Sequence, residues 1–280
     1  MKLQGYDKKN GFDLEYKPIS LEARYVSLFN KTVDVVVLDP LQVADLNLEG
    51  KKIKIFTSAP TTYCNFLVRS DSPIKTIEEL KGKKLGVTSK IGSSSYANLA
   101  LLLKKKGENI ENYYQIISGS LEALPTFLSR GDVDALVNPC GEVQVGKLLA
   151  SGKVKTIGSI GELLKKTYGN TDRQTVMFAA REEWLTSHQK EAKEYTRAVE
   201  ETMKYIKDNP QKVYANEQIK KDFELTTEEI KQIIELRKNG DPYSSKDWEK
   251  VTKEVDFYIK DAADAGFIKG VPKEKIYIKF

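Results

Sequence analysis

The sequence predicts an α/β fold made of two lobes, followed by a helical C-terminal third. Strand and helix patterns alternate over roughly the first 180 residues, which is typical of sheets covered by helices. One helix–turn–strand unit occurs twice, as LFNKTVDVVVLDP at 28–40 and as LSRGDVDALVNP at 128–139. Beyond Trp184 the apolar residues follow helical spacing. Two similar α/β halves explain the repeated unit, and chance similarity between two βα units is the alternative.

The first half is predicted to alternate strands and helices. Pro18 ends a segment of alternating apolar and charged residues. Asp39 precedes a proline that suits a first helical turn and is therefore the predicted cap of the helix 41–48. The predicted elements are, in order, strand 12–17, helix 20–30, strand 33–38, helix 41–48 and strands 53–57 and 65–68. This βαβαβ order predicts a mostly parallel sheet.

The stretch 71–107 has the most informative local pattern. A capping box at Thr76 and Glu79 precedes one helical turn, which ends at Gly82. The strand 85–87 then leads into a turn of small residues at 92–95 and directly into a helix. Such a turn leaves backbone N–H groups and the positive end of the helix dipole directed at one point. The turn is a candidate site for an anionic or polar ligand, and the alternative is a serine that only caps its own helix.

The second half continues with strands and the C-terminal third with helices. The predicted strands are 113–117, 133–137, 154–158 and 175–180, and the later helices include 230–238, begun by a capping box at Thr226, and 247–265. No low-complexity linker separates the halves, so the boundaries are placed in extended strands near 65–68 and 174–178. This division assigns 1–66 and 178–280 to lobe 1 and 67–177 to lobe 2. Two hinge strands join the lobes, and the helical C-terminal third packs on lobe 1.

Composition excludes several classes of function. The net charge of +5 comes from balanced charges spread along the chain, so nucleic-acid binding has little support. His188 is the only histidine, and its flanking residues favour a surface position over a catalytic triad or a metal site. Cys64 and Cys140 match no zinc spacing and are interpreted as small buried residues, not as a reactive pair. No cofactor is expected.

Three segments resemble a known family. DSPIKTIEELKGKKLGV at 71–87, SRGDVDALVNP at 129–139 and YDKKNGFDLEYKP at 6–18 resemble segments of ABC-transporter solute-binding proteins. The group that they resemble binds sulfonates, taurine, nitrate and thiamine pyrimidines and is called the SsuA/TauA or NMT1-like family. The resemblance implies a type II periplasmic-binding-protein fold, in which two α/β lobes close on a ligand around two hinge strands.

The resemblance also implies where ligand-binding residues lie, namely in loops at the carboxyl ends of strands. Carried onto this sequence, it implies a set of ligand-binding residues: Asp39, Ser58, Thr61, Tyr63, Gly92, Ser93, Ser94, Ser95, Tyr96, Asn138 and Glu142. Tyr63 and Tyr96 could flank the ligand, and core packing is the alternative for both. Family members begin with a further strand and a signal or lipoprotein peptide, whereas this sequence starts after both.

The resulting hypothesis is a non-catalytic, monomeric solute-binding component that serves an ABC transporter permease, in the periplasm or outside the cell at the membrane. Its ligand is expected to be a small organic or anionic molecule, although Asp39 and Glu142 could instead pair with an amine. One alternative is a cytosolic enzyme on the same fold, similar to futalosine-pathway enzymes or thiamine-pyrimidine synthases. The latter rely on an active-site histidine and a cysteine-rich iron motif, whereas this sequence has one poorly placed histidine and two distant cysteines. A ligand-sensing domain of a regulator is the third hypothesis.

Overall fold

The computed structural model describes residues 1–20, 23–59, 64–88, 93–137, 141–169, 176–237 and 247–280. Its eight strands within these ranges are β1 Val35–Leu38, β2 Ile53–Ser58, β3 Asn65–Arg69, β4 Lys84–Val87, β5 Gln115–Ser118, β6 Ala135–Val137, β7 Val154–Ser159 and β8 Met177–Arg181. The α-helices of the first half are α1 Tyr6–Lys9, α2 Arg24–Phe29, α3 Pro40–Leu48, α4 Ser94–Lys105, α5 Ile110–Tyr113, α6 Ala123–Arg130 and α7 Glu142–Ala150. Those of the second half are α8 Ile160–Tyr168, α9 Glu182–Ser187, α10 Gln189–Asp208, α11 Pro210–Tyr214, α12 Glu217–Phe223, α13 Thr227–Leu236 and α14 Trp248–Asp264. None of the helices in the described ranges combines the length and apolar composition needed to span a membrane.

The chain forms two compact units. Unit 1 contains Met1–Thr61, Arg173–Asp208 and Tyr243–Phe280, and unit 2 contains Thr62–Asp172 and Asn209–Pro242. The division of the first 180 residues is close to the one predicted from the sequence. The segment 209–242 differs, because the sequence analysis placed it in lobe 1 and the structure places it in unit 2. The chain therefore passes between the units four times, whereas two crossings were predicted.

The sheet of unit 1 has three strands in the order β1-β8-β2. Both outer strands pair antiparallel to β8, with Val36 opposite Ala179 and Ile55 also opposite Ala179. The prediction of a mostly parallel sheet is wrong here, because β8 returns late in the chain and separates β1 from β2. The C-terminal segment lies along the other edge of β2, where Ile55 N–H donates to Ile276 and the Ile278 N–H donates to Ile55.

The predicted strand 12–17 is absent. Residues 12–20 form neither helix nor strand, and Tyr16 is 78% exposed. The backbone of Leu14 bonds to side chains instead, since its N–H donates to Asp7 at 3.2 Å and its carbonyl accepts from Lys2. Among the described residues no strand pairs with this segment. An alternating pattern forms a strand only where a neighbouring strand supplies backbone partners.

Two clusters of polar contacts connect outer segments of unit 1 to the rest of the unit. Arg181, at the end of β8, donates to the carbonyl of Val33 at 3.0 Å and to the carboxylate of Asp34 at 3.0 Å, and it also bonds the carbonyl of Leu28. Helix α1 packs on α10, where the Glu201 carboxylate accepts hydrogen bonds from Lys9 at 2.6 Å and from the side chain of Asn10 at 3.1 Å. Because Arg181 is buried, its guanidinium ties the turn before β1 to the centre of the sheet.

The sheet of unit 2 has five strands in the order β5-β4-β6-β3-β7. Strand β4 is parallel to β5 and β6, whereas β3 is antiparallel to β6 and β7. Successive residues of the central strands contribute to different apolar clusters, as period-two alternation requires. Phe66 and Val137 pack with residues of α4 and α8, whereas Leu67 and Leu136 pack with residues of α6 and α7. Helices on both faces confirm the predicted α/β class.

Helices α11 to α13 pack on unit 2 through α7. Pro210 occupies the first turn of α11, directly after α10 ends at Asp208, because proline is tolerated in a first turn but not in a helix interior. A Cβ atom built on Gly146 would lie 2.4 Å from Ile233 Cγ1 and 3.1 Å from the Ile233 nitrogen. A glycine in the middle of α7 therefore allows α13 to approach closely, and this close approach explains why 209–242 belongs to unit 2.

Candidate ligand-binding site

The turn before α4 positions three of the predicted ligand-binding serines. Ser93 is the N-cap of α4, and its Oγ accepts the N–H of Tyr96 at 3.4 Å. The Ser93 hydroxyl also lies 2.8 Å from the Ser95 hydroxyl and 3.4 Å from that of Thr88. Ser93 and Ser95 are buried, whereas Ser94 between them is half-buried. The local geometry thus includes the helix cap considered as the alternative, and Ser94 is the serine whose side chain remains accessible to a ligand.

The next turn of α4 is also polar and buried. Asn98 is 2% exposed, and its side-chain amide donates to the carbonyl of Ser94 at 2.8 Å. Asn98 was not among the predicted residues, although its position four residues after Ser94 could have indicated it. Serine and asparagine at this end of α4 add hydroxyl and amide groups to the positive end of the helix dipole.

Tyr96 packs in the core of unit 2. The residue is 8% exposed, and its hydroxyl donates to the Glu111 carboxylate at 2.6 Å. Burial, together with the Glu111 carboxylate, raises the pKa of the Tyr96 hydroxyl. The ring thus fits the core-packing alternative, and contact with a ligand stays a prediction for this residue.

Glu142 lies in the first turn of α7 and is half-buried. Its carboxylate accepts a hydrogen bond from the hydroxyl of Tyr214 in α11. Strands β4 and β6 are parallel neighbours, so the helices that follow them, α4 and α7, begin at the same edge of the sheet. The structure thereby places Glu142 and the serines of α4 at one edge of unit 2.

Asp39 and Ser58 lie in unit 1. Asp39 follows β1 and caps α3, as predicted, with its Oδ1 accepting the N–H of Leu41 at 2.8 Å and its own N–H donating to Gln42 at 3.4 Å. The buried Tyr258 of α14 approaches Asp39 Oδ2 with its hydroxyl at 3.5 Å. Ser58 ends β2 and is half-buried. Both residues follow strands that run antiparallel to β8, so they lie at the same edge of the sheet of unit 1.

The remaining predicted residues lie outside the described residues. They are Thr61, Tyr63, Gly92 and Asn138. Their contact with a ligand stays a prediction, as it does for the residues that the structure describes.

The sequence did not predict the disulfide bond of Cys64. Cys64 is buried, as predicted, but it is disulfide-bonded, and the chain's other cysteine is Cys140, which lies outside the described residues. The β3–β6 ladder pairs Phe66 with Val137 in antiparallel register. This register places the start of β3 beside the end of β6, a proximity that the long sequence separation hides.

Two tyrosines from the helical C-terminal third were missed by the sequence analysis. Tyr258 approaches Asp39, and Tyr214 donates to Glu142, so each repeated strand is followed by a carboxylate with a tyrosine hydroxyl beside it. No local pattern marks these tyrosines, because each reaches its carboxylate from a distant helix. Among the described residues, no group of three or more histidine, cysteine or acidic side chains could hold a metal ion.

Comparisons with known proteins identify the family and the fold of this chain. A profile of the family described as NMT1/THI5 like matches residues 2–213. Among curated protein sequences, none matches the chain. Many solved structures are also similar to this chain, and three of them illustrate the likeness at low sequence identity. A protein from Bordetella bronchiseptica RB50 has a TM-score of 0.73 at 20% identity, over 99% of this chain and 88% of that chain.

The other two structures identify the fold. The periplasmic aliphatic sulphonate binding protein SsuA from Escherichia coli has a TM-score of 0.71 at 16% identity, over 97% of this chain and 84% of that chain. A Candida albicans gene product with the generic periplasmic binding protein structural fold has a TM-score of 0.64 at 17% identity, over 95% and 85%. The periplasmic-binding-protein fold expected from the sequence is thus confirmed. Because the family profile covers well over half of the sequence, the chain belongs to the NMT1/THI5-like family.

Proposed function

We propose that the chain is the non-catalytic solute-binding component of an ABC importer, and that it captures a small organic or anionic ligand. The observation that carries this proposal is the edge of unit 2 where the capped, serine-lined start of α4 lies beside the start of α7. Two helix N-termini at one sheet edge provide N–H donors, hydroxyl groups and favourable dipoles for a polar head group. The likeness to the sulphonate binding protein SsuA of Escherichia coli supports a solute-binding role.

A binding role also fits the arrangement of titratable groups. His188 lies between α9 and α10, stacked on Trp184 at 5.1 Å between ring centroids, and its ring nitrogen contacts the Trp184 carbonyl. The only histidine of the chain is thus engaged by a neighbouring helix turn. The enzymatic alternative similar to thiamine-pyrimidine synthases needs a histidine in the site, and this position gives it no support.

We propose that the protein acts outside the cytoplasm, as a monomer that delivers its ligand to a membrane permease. The disulfide at Cys64 supports this location, because such bonds persist in oxidising compartments and are rare in the cytosol. The periplasmic location of the Escherichia coli SsuA protein supports it as well.

A thermal-shift screen tests the proposed function. The compounds are alkanesulfonates, nitrate, pyrimidines and aromatic carboxylates, each added at about 1 mM. A ligand present at 100 times its dissociation constant adds about 2.7 kcal/mol of stability, which gives a clear rise in melting temperature. The absence of a shift for all four classes would contradict the proposal.

The variant Ser94→Asp tests the position of the site. A carboxylate placed at the accessible serine of α4 would repel an anionic head group at the helix N-terminus, so affinity should fall at least about tenfold. Ser187→Asp, at the end of α9 in unit 1, is the matched control and should leave affinity unchanged. Equal affinity of Ser94→Asp and wild type would show that this turn does not contact the ligand. Lobe closure, which small-angle scattering would detect as a smaller radius of gyration with ligand, stays a prediction.

A further inference from the structure

Helices α11 to α13 form a small apolar core with α7. Tyr214, Leu225, Ile230 and Ile233 are buried in this core, and Val143 of α7 packs against it. The close approach of Ile233 to Gly146 holds α13 against the same helix one turn further along. The segment 209–237 therefore fixes the position of the first turn of α7, where Glu142 lies next to Val143.

Tyr214 links this segment directly to the candidate site. Its ring is 5% exposed within the core, so packing sets the direction of its hydroxyl, which donates to Glu142. A tyrosine hydroxyl has a pKa near 10 and remains a donor at neutral pH. Glu142 lies at the start of α7, where the positive end of the helix dipole favours acidic side chains. The packing of Tyr214 and its hydrogen bond together hold the Glu142 carboxylate in one orientation.

An oriented carboxylate at this sheet edge has a chemical consequence for the ligand. The serine-lined start of α4, at the same edge, suits an anionic group, whereas the Glu142 carboxylate would repel one. A ligand that binds both the start of α4 and the Glu142 carboxylate carries an anionic group at one end. At its other end it carries an ammonium or another N–H donor. Charge-assisted hydrogen bonds of this kind are stronger than neutral ones and discriminate against analogues that lack the donor.

We propose that Tyr214 is a positioning residue for Glu142, and that through it the helices α11 to α13 select ligands bearing an ammonium or N–H donor. This inference rests on the proposed function and deepens it, because it names the class of ligand. Tyr214 itself is too buried to serve as a ligand contact. Its role is exerted on the orientation of the Glu142 carboxylate.

The test compares probes that differ only in the amine. Isothermal titration measures the affinities of taurine and ethanesulfonate, of β-alanine and propionate, and of 4-aminopyrimidine and pyrimidine. The proteins are wild type, Glu142→Gln, Tyr214→Phe and the matched control Tyr277→Phe, which removes a tyrosine–carboxylate bond to Asp256 in unit 1. Circular dichroism and thermal melting establish that each variant is folded.

We expect wild type to bind the amine-bearing member of at least one pair about tenfold or more tightly than its partner. In Glu142→Gln the ratio of the affinity for the amine-bearing member to that for the amine-free member should fall to about one. In Tyr214→Phe this ratio should fall several-fold, while the affinity for the amine-free member is retained. Tyr277→Phe should keep the wild-type ratio. A merely structural role of Tyr214 would weaken both members equally, so the ratio distinguishes positioning from stability.

Three results would overturn the inference. The first is a wild-type ratio near one with measurable binding, which leaves the proposed binding function intact. The second is a Tyr214→Phe variant that is folded and keeps the full ratio. If Tyr214→Phe does not fold, an unchanged ratio in Glu142→Gln serves as the same refutation. The third is the absence of binding for every probe, which would contradict both the inference and the proposed function.

Discussion

Replacing Gly146 by alanine should loosen the packing of α13 on α7. The new Cβ atom would lie 2.4 Å from Ile233 Cγ1, and 3.1 and 3.3 Å from the backbone nitrogen and Cα of the same residue. Side-chain rotation can relieve the first contact. The other two involve the backbone, so α13 itself must move away from α7.

Two opposing effects determine how Gly146→Ala changes the free energy of unfolding. Overpacking a tight interior contact costs about 1–3 kcal/mol. Alanine in place of glycine within a helix contributes about 1 kcal/mol in the favourable direction. We therefore expect Gly146→Ala to lower the free energy of unfolding by about 1 kcal/mol. Gly146→Val should lose more, because it adds volume at the same contact and gains less in helix propensity.

Native-state hydrogen exchange is the appropriate measurement, because it reports the stability of α11 to α13 separately from that of unit 1. Amides of α13 should exchange faster in Gly146→Ala, whereas those of β8 should be unchanged. The variant Ile233→Ala removes the atom nearest to the new Cβ. In the double variant the two losses should therefore be less than additive. Unchanged or slower exchange of α13 in Gly146→Ala would refute the close-approach argument.

Three further predictions concern other parts of the chain. Under denaturing, non-reducing conditions a thiol assay should find Cys64 blocked, and a full count of free thiols would contradict the disulfide. Cys64→Ser should lower the free energy of unfolding by about 2–5 kcal/mol, because removing a native disulfide frees the unfolded chain. Arg181→Lys should lower the free energy of unfolding by about 1–3 kcal/mol, because an ammonium cannot reproduce the planar set of hydrogen bonds to the backbone carbonyls and Asp34. Chemical unfolding measures this loss, and an unchanged denaturation midpoint would refute it. The hydrogen bond from Lys9 holds the pKa of Glu201 below its usual value of 4.5, so this contact stabilises the protein above that pH and is lost as the pH falls through the lowered pKa. Thermal melts of wild type and Glu201→Gln should therefore differ at pH 6 and converge in acid, and a constant difference across the range would contradict the assignment.

Local sequence patterns predict the helix caps of the candidate site but not its contacts with a ligand. Helix caps are decided by residues three or four positions apart, so the sequence already indicates that Asp39 caps α3 and that Thr226 begins α13, and the structure confirms both. A serine cap at the start of α4 was only the alternative interpretation of the turn 92–95, and the structure shows that Ser93 makes this cap. Contact of the capping residues with a ligand stays a prediction, since a cap satisfies its own helix with or without one.

Strand assignments show where local patterns fail. The buried strands β1, β2, β3 and β8 were predicted close to their observed positions, because short runs rich in β-branched and aromatic residues, bounded by turn residues, favour buried strands. The segment 12–17 has an equally clear alternating pattern and forms no strand. Backbone pairing depends on a neighbouring strand, and a strand's own sequence does not specify whether that neighbour is present.

The sequence by itself determined the α/β class, the order of most elements, the helix caps and the family, because each of these depends on residues close together in the chain or on contiguous motifs. Only the tertiary structure decided that 209–242 joins unit 2, that Cys64 is disulfide-bonded and that Tyr214 meets Glu142. Each of these is a contact between residues far apart in sequence. Such contacts arise from how the helices and strands pack on one another, which no local pattern encodes.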